Sequence, residues 1–130
     1  KNSKSALNAS INVSLLNKKK FNPSNKKGFS WGQLLVDKNY SSKLGVCFKE
    51  MAGDAEFVEL DFFDENGFIE NIKENLEPGK SIIIDSKRFI NGDKKTKFIW
   101  YTVKSTRIDI SGQSFHSNIP THNSSGDHSF

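Results

Sequence analysis

The sequence predicts an all-β protein, in which an antiparallel sheet closes into a small barrel with a single short helix. Three observations support this fold class. Apolar and polar residues alternate in most apolar segments, which indicates half-buried strands. Helical periodicity replaces this alternation in one segment only. A sheet of about five strands must also protect its edges, and closure into a barrel achieves this. A chain of 130 residues suits a single domain.

Four strands are predicted in the first half of the chain. They cover residues 7–15, 29–36, 44–50 and 57–63. The last of these reads FVELDFF and has the clearest alternation. Its side chains divide into an apolar face with Val58, Leu60 and Phe62, and a mixed face with Phe57, Glu59, Asp61 and Phe63.

The segment Asn66–Leu76 is predicted to be the one helix. Its apolar residues are Phe68, Ile69, Ile72 and Leu76, a spacing typical of one face of a helix. Asp64 or Asn66 can cap its start, and Pro78-Gly79 can end it.

The late part of the chain predicts a hairpin followed by a tail. Strands are expected at 81–90 and 97–110, joined through Asn91-Gly92-Asp93. From residue 111 the sequence is rich in Ser, Asn, Gly, Thr and His and predicts a flexible tail. A helix placed before the last hairpin is the connectivity of the OB-fold, a five-stranded antiparallel Greek-key barrel. We therefore expect an OB-fold domain at 1–110, with a basic N-terminal strand or arm, and a tail at 111–130. The alternative is an open antiparallel sheet with one helix packed on its face.

Charge is distributed unevenly along the chain, which has a net charge of +4. Residues 1–27 hold seven lysines and no acid, whereas residues 28–79 hold four lysines and eleven acids. Residues 80–107 hold eight cations and two acids. We expect phosphates to be attracted to the basic arm and the late hairpin, and to be repelled by the acidic middle.

Several functional classes are disfavoured by the residues present. The single cysteine, Cys47, allows no internal disulfide and gives no metal-binding spacing, and we expect it to be a small buried residue. A reducing cytoplasm is therefore expected. The sequence has no run of 18 apolar residues, so no membrane-spanning helix is predicted. The N-terminal cations are not followed by the apolar block that a signal peptide would have.

We expect no enzymatic activity, metal or cofactor. The three histidines recur only in the predicted tail, where convergent metal ligands are not indicated. A metal for phosphodiester cleavage could in principle be held by the acids of residues 59–65. However, no histidine or lysine accompanies these acids in their strand.

Binding to single-stranded nucleic acid requires cations for the backbone and flat side chains for the bases. Alternation in the last strand predicts that Trp100 is exposed, because Ile99, Tyr101 and Val103 form the more apolar face. The candidate binding residues are Trp31, Phe57, Lys87, Arg88, Phe89, Lys94, Lys95, Lys97, Trp100 and Lys104. Candidates for further phosphate contacts are Lys18, Lys19, Lys20, Lys26 and Lys27, and the alternative is that these lysines only solvate a turn.

Residues 56–103 resemble the second half of bacterial and phage single-stranded DNA-binding proteins. The shared pattern is an aromatic strand, a short helix, a Leu-x-x-Gly step, a strand with basic residues, a hairpin and a return strand. The matching pieces are Phe57–Phe63, Asn66–Leu76, Leu76–Ser81, Ile82–Phe89, Asn91–Asp93 and Trp100–Val103.

The resemblance implies a protein that coats single-stranded DNA with little sequence specificity during replication or recombination. A phage or mobile-element member is implied, acting in the cytoplasm of a bacterium or an infected host cell. The resemblance also implies a homo-oligomer, a dimer or tetramer, and a C-terminal tail ending at Phe130 that recruits replication or recombination proteins.

Two departures from the family pattern leave alternatives open. Glu59 and Asp61 lie on the face where DNA is expected and would repel phosphate. The tail has Phe130 but only one acid, Asp127, so any recruitment through it is expected to be weak. The alternatives are a protein-interaction module that uses the acidic surface 50–77, with lysines that only maintain solubility, and an RNA-binding OB domain.

Overall fold

A computed structural model describes residues 27–90, 92 and 96–128, and these residues confirm the predicted all-β class. They contain no α-helix, and no helix among them is long and apolar enough to cross a membrane. A short 3₁₀ helix covers Ser86–Phe89. The described residues include eight strands: β1 (Gly28–Val36), β2 (Tyr40–Phe48), β3 (Glu56–Asp64), β4 (Gly67–Leu76), β5 (Ile82–Asp85), β6 (Lys97–Ser105), β7 (Ile110–Asn118) and β8 (Ser124–His128).

The strands form two four-stranded antiparallel sheets that pack face to face. One sheet has the order β1-β6-β3-β4 and the other the order β5-β2-β7-β8. Buried side chains from both sheets make one continuous hydrophobic cluster. Because side chains alternate across a strand, each strand of the cluster leaves a second set of side chains on the outside of the sandwich. The largest side chains in the cluster that are fully buried include Tyr101, Phe62, Leu34, Leu44, Leu60 and Ile99.

The predicted OB-fold barrel is not confirmed. In the described part of the chain the two sheets do not close into one barrel, and β1, β4, β5 and β8 lie at sheet edges. The predicted hairpin of 81–90 with 97–110 is also wrong. Strand β5 pairs with β2 and strand β6 pairs with β1 and β3, so these two neighbours in sequence lie in different sheets.

The predicted helix at Asn66–Leu76 is wrong, because this segment is strand β4, which pairs with β3 along its length. Glu65 and Asn66 form the two-residue hairpin turn, after which Gly67, the first residue of β4, has φ 114° and pairs with Asp64. The Asp64 side chain accepts a hydrogen bond from the backbone N–H of Asn66. Ile72 and Leu76 are four residues apart, a spacing that fits one face of a strand as well as one face of a helix. An irregularity in register between Phe62 and Phe63 then accommodates the extra residue in β4.

The predicted flexible tail is wrong for the part that the structure describes. Strand β7 pairs with β2 over all nine of its residues, and β8 pairs with β7. Cα atoms of β7 and β1 come within 8 Å of each other, closer than the usual ~10 Å between packed sheets. Small inward residues such as Gly112 and Ser114 allow this approach, and they give the segment little apolar signal in the sequence.

The remaining strand predictions agree in part. Strands β1 and β3 cover the predicted segments 29–36 and 57–63, and β2 includes most of 44–50. The predicted strand 97–110 divides into β6 and the first residue of β7. The predicted strand 7–15 lies outside the described residues.

Candidate functional site

The outer surface of the β1-β6-β3-β4 sheet carries a set of exposed aromatic side chains, and we call it the aromatic face. Trp31 is 44% exposed and Trp100 is 40% exposed, although the same strands bury Leu34 and Tyr101 on their inner sides. Large exposed apolar patches mark interaction sites such as protein contacts and ligand-binding grooves. The exposed rings of this face are Phe29, Trp31, Phe57, Phe68, Phe98 and Trp100.

The register of β1 with β6 places one ring at each of four consecutive levels of the sheet. Residues two apart on a strand are separated by about 6.8 Å, and this distance sets the spacing of the levels. The pairs at the successive levels are Phe29 with Lys104, Trp31 with Thr102, Gln33 with Trp100, and Leu35 with Phe98.

A compact group of hydrogen-bonded polar side chains lies within the aromatic face, and we call it the polar centre (Glu59, Asp61, Asn71 and Lys104). The Lys104 ammonium is 2.7 Å from Asp61 Oδ2. The Asn71 amide donates to Asp61 Oδ1 at 2.6 Å and to Glu59 Oε1 at 3.0 Å. The hydrogen bond from Lys104 lowers the pKa of Asp61, and the same bond raises the pKa of Lys104. The two acids that were expected to repel phosphate therefore have a cation and an amide as partners.

Aromatic rings flank the polar centre on three sides. Strand β1 contributes Phe29 and Trp31 beside it. At the next level of the sheet Trp100 lies opposite Phe63, which packs edge-on against Phe68 with ring centroids 5.8 Å apart. Phe57 lies on the third side, and the fourth side is the free edge of β4. The polar centre is therefore a small polar cluster bordered by aromatic rings on three sides.

Three of the predicted stacking residues come together on this face, and one does not. Trp31, Phe57 and Trp100 are exposed on it. Phe89 is 4% exposed and packs on Phe62 with ring centroids 4.9 Å apart, so its prediction as a stacking platform is wrong. The physical reason is that the chain leaves β5 as a 3₁₀ helix, which directs Phe89 into the core.

The predicted late cations that the structure describes, Lys87, Arg88, Lys97 and Lys104, do not form one continuous ribbon. Lys87 and Arg88 lie on the 3₁₀ helix, and Arg88 pairs with Glu70. Lys97 and Lys104 are on β6 but at positions of opposite parity, so only Lys104 belongs to the aromatic face.

Other predicted contacts are only partly covered by the structure. Lys27 is exposed and immediately precedes β1. The predicted contacts outside the described residues are Lys18, Lys19, Lys20, Lys26, Lys94, Lys95 and Phe130.

Sequence reasoning missed part of the face. Phe29 and Phe98 could have been found by alternation, since each lies two residues from a tryptophan on the same strand. Phe68 and Asn71 could not be placed while their segment was predicted to be a helix. Both reach the face only because β4 pairs with β3.

A second polar cluster lies in a depression of about 550 Å³ at one end of the sandwich, lined by Arg107 and by acids that include Asp54 and Asp109. Arg107 donates to both carboxylate oxygens of Asp109, at 2.9 and 2.8 Å, and to the carbonyl oxygens of Ala52 and Asp54. Its guanidinium also lies 4.2 Å from the Phe48 ring centroid. These contacts join the 49–55 and 106–109 segments, so Arg107 has a structural role. Among the described residues, no group of three His, Cys, Asp or Glu side chains is placed to hold a metal ion.

Comparison with known proteins shows a shared fold and no family. No protein-family model matches the chain, and no curated protein matches it. A solved structure that is similar is the crystal structure of Thermotoga maritima 1070, with a TM-score of 0.55 and 11% sequence identity. The match covers 80% of this chain and 91% of that chain. At this identity the similarity shows the fold alone.

Proposed function

We propose that this protein binds single-stranded DNA, without catalysis, by stacking bases on the aromatic face. The observation that carries the proposal is the series of exposed rings at four consecutive levels of the β1–β6 pair. Each base stacked on an aromatic side chain contributes about 1–3 kcal/mol, and this stacking tolerates any sequence. Single-strand binding, expected from the sequence, therefore does not require an OB-fold.

The spacing of the rings favours an unpaired strand over a duplex. Levels about 6.8 Å apart are twice as far apart as the ~3.4 Å between stacked bases in duplex DNA. Bases can occupy successive levels only if they are separated from one another, and a duplex does not present its base faces. The ligand that fits is an extended single strand.

Charge on the described part of the face is balanced, so attraction of the phosphates must come from its surroundings. Glu59 and Asp61 are offset by Lys104 and by Lys73, which also lies 5.4 Å from the Phe57 ring centroid. Lys27 is exposed two residues before Phe29, where the segment with seven lysines in residues 1–27 joins the sheet. At the other end of the β1–β6 pair, the Lys94-Lys95 segment leads into Lys97 beside Phe98. The two lysine-rich parts of the sequence thus precede β1 and β6, the two strands that carry the series of rings.

The arrangement of the face supports a ligand with flat rings and polar edges more than a protein partner. Protein interfaces usually have an apolar core and a polar rim. Here the polar centre is inside and the rings are around it, as in sites where a few polar groups orient a ligand. The acidic residues 50–77 also do not form one unpaired surface, because Asp61, Glu70 and Glu77 each contact a cation.

The resemblance to bacterial and phage single-stranded DNA-binding proteins supplies the rest of the proposal. We propose a role in replication or recombination, a dimer or tetramer in solution, and recruitment of partner proteins through the tail that ends at Phe130. The edge strands β1, β4, β5 and β8 provide the unpaired backbone groups through which copies could associate.

Tryptophan fluorescence tests the proposal, because both tryptophans of the chain lie on the aromatic face. Titration with a mixed-sequence single-stranded DNA oligonucleotide should quench the fluorescence at about 50 mM salt and much less at about 200 mM salt. The duplex of the same sequence should quench the fluorescence only weakly. Quenching by an RNA strand of the same sequence, compared with that by the DNA strand, measures selectivity for DNA. Absence of quenching by the single strand at low salt, or equal quenching by the duplex, contradicts the proposal.

A further inference from the structure

We propose that the polar centre gives the aromatic face a preference for strands rich in cytosine or adenine over strands rich in thymine. This inference rests on the proposed function, because it concerns the edges of bases whose faces stack on the rings. The polar centre has no role in stacking itself, and its hydrogen-bonding groups remain to be explained.

The register brings the polar centre within reach of a stacked base. Trp31 is level with Thr102, which is level with Asp61, which in turn is level with Asn71. Adjacent strands are about 4.8 Å apart, so Asp61 lies about two strand spacings from Trp31. Thr102, the residue between them, is small. A base that stacks on Trp31 with its edge along this row extends over Thr102 toward the carboxylate.

The hydrogen bonds within the polar centre determine what it can offer to a base. Both contacts of the Asn71 side chain are to carboxylate oxygens, which only accept, so both must use its NH₂ group. The Asn71 carbonyl oxygen is therefore left as an acceptor, and the second oxygen of Glu59 is another. Lys104 uses one proton toward Asp61 and retains two donors. The lowered pKa of Asp61 keeps its carboxyl group ionised at neutral pH.

This pattern of acceptors beside one donor group matches the amino-bearing bases. Cytosine and adenine each carry an exocyclic amino group that can donate to a carboxylate or amide oxygen. Their neighbouring ring nitrogen can accept from Lys104. Thymine has the O4 acceptor in place of the amino group, and O4 would face the acceptor oxygens of the polar centre. Thymine also carries a proton on N3, the ring nitrogen that accepts in cytosine, so a thymine in the same pose loses both hydrogen bonds and brings like partial charges together.

The test compares oligo-dC with oligo-dT of equal length, titrated into the full chain while tryptophan fluorescence is recorded. A well-placed base contact discriminates by a factor of about ten, and we expect the wild type to bind oligo-dC about tenfold more tightly. Glu59→Gln should reduce this ratio to about twofold or less, because a glutamine amide can turn to donate to O4. Glu74→Gln is the matched control. It makes the same charge change on the opposite side of the same sheet and should keep the ratio.

The outcomes separate this inference from the proposed function. Quenching by both oligonucleotides with equal affinity, or tighter binding of oligo-dT, overturns the base preference and leaves stacking intact. A preference that persists unchanged in Glu59→Gln overturns the assignment to the polar centre. Absence of quenching by either oligonucleotide removes the proposed function together with the inference. The ratio of wild-type affinities for oligo-dC and oligo-dT decides by itself whether the base preference exists, so this result does not depend on the folding of any variant.

Discussion

The outer faces of the two sheets differ sharply, although their inner faces form one core. The outer side of the β5-β2-β7-β8 sheet has mostly small or polar residues, such as Lys43, Gly45 and Gln113. Ile83 and Phe115 are its exposed large apolar residues among those described, compared with the six exposed rings of the aromatic face. Both sheets have four strands and bury their inner side chains in the same cluster.

This difference shows that the rings of the aromatic face are not required by the fold. The β5-β2-β7-β8 sheet also buries its inner side chains in the shared core, although its outer side carries serine, glycine and lysine. Six exposed rings on one sheet, against the single exposed ring of Phe115 on the described part of the other, indicate that something contacts the aromatic face. The proposed function explains these exposed rings by the stacking of bases.

The largest effect is expected from removing both tryptophans of the aromatic face. Trp31→Ala with Trp100→Ala removes two stacking platforms and should weaken binding by about 2–6 kcal/mol, at least thirtyfold. Because the variant has no tryptophan, anisotropy of a dye-labelled oligonucleotide is the measurement. Phe115→Ala removes an equally exposed ring from the other sheet and should leave the affinity unchanged. Equal losses in both variants would mean that the two faces do not differ in binding.

The next effect concerns Phe89, which the sequence assigned to binding and the structure assigns to the core. Phe89→Ala removes a buried ring that packs on Phe62 and should destabilise the fold by about 3–5 kcal/mol. Urea denaturation measures this loss. Under conditions where the variant is folded, its affinity for single-stranded DNA should match the wild type. A binding defect with normal stability would place Phe89 at the ligand surface.

A smaller effect is expected from breaking the ion pair of the polar centre. Lys104→Met leaves the nearly buried Asp61 carboxylate without its cation. It should cost about 1 kcal/mol at neutral pH, a value reduced because the Lys104 side chain is half-exposed and screened by solvent. Urea denaturation of wild type and variant over a range of pH is the measurement.

The pH dependence of that difference has a defined sign. The folded-state pKa of Asp61 lies below its ordinary value of 3.8, so the pair stabilises the fold fully above pH 3.8. Its contribution is lost as the pH falls from 3.8 through the lowered pKa. The two proteins should therefore converge in stability at acidic pH. A difference that stays constant through this range would show that Lys104 acts by packing instead of by charge.

The smallest effect tests the hairpin that brings β4 to the aromatic face. Gly67 has φ 114°. Apart from Gly67 and its two chain neighbours, no atom of the described residues lies within 4 Å of the place that a Cβ would take, so Gly67→Ala introduces backbone strain and no steric clash. It should destabilise the protein by about 1 kcal/mol in a thermal or urea unfolding experiment. In a helix the same substitution would stabilise by about 1 kcal/mol. A gain in stability would therefore contradict the hairpin.

The sequence predicted the parts of the fold in which apolar residues alternate clearly. Alternation predicted the strand at 57–63 and the exposure of Trp100. It did so because a strand that buries one face must bury every second side chain and expose the others. Strand β4 was missed because the spacing of Ile72 and Leu76 satisfies two periodicities, and only pairing with β3 decides between them. Strand β7 was missed because it is held by backbone pairing and small inward residues, which resemble a loop in composition.

The site was predictable for its rings and not for its polar centre. Trp31, Phe57 and Trp100 were identified from residue type. The neutralisation of Asp61 depends on Lys104 and Asn71, which are 43 and 10 residues away in sequence and meet it only through strand register. Likewise, the exclusion of Phe89 depends on the 3₁₀ helix that follows β5. Contacts of this kind are decided by tertiary structure.

The most direct measurement is NMR of the two tryptophan indole N–H signals during titration with a short single-stranded oligonucleotide. Both signals should shift together along one saturable curve, with amide signals of β1 and β6, while those at Phe115 in β7 stay in place. Indole signals that do not move, or shifts confined to the β5-β2-β7-β8 sheet, would contradict binding at the aromatic face.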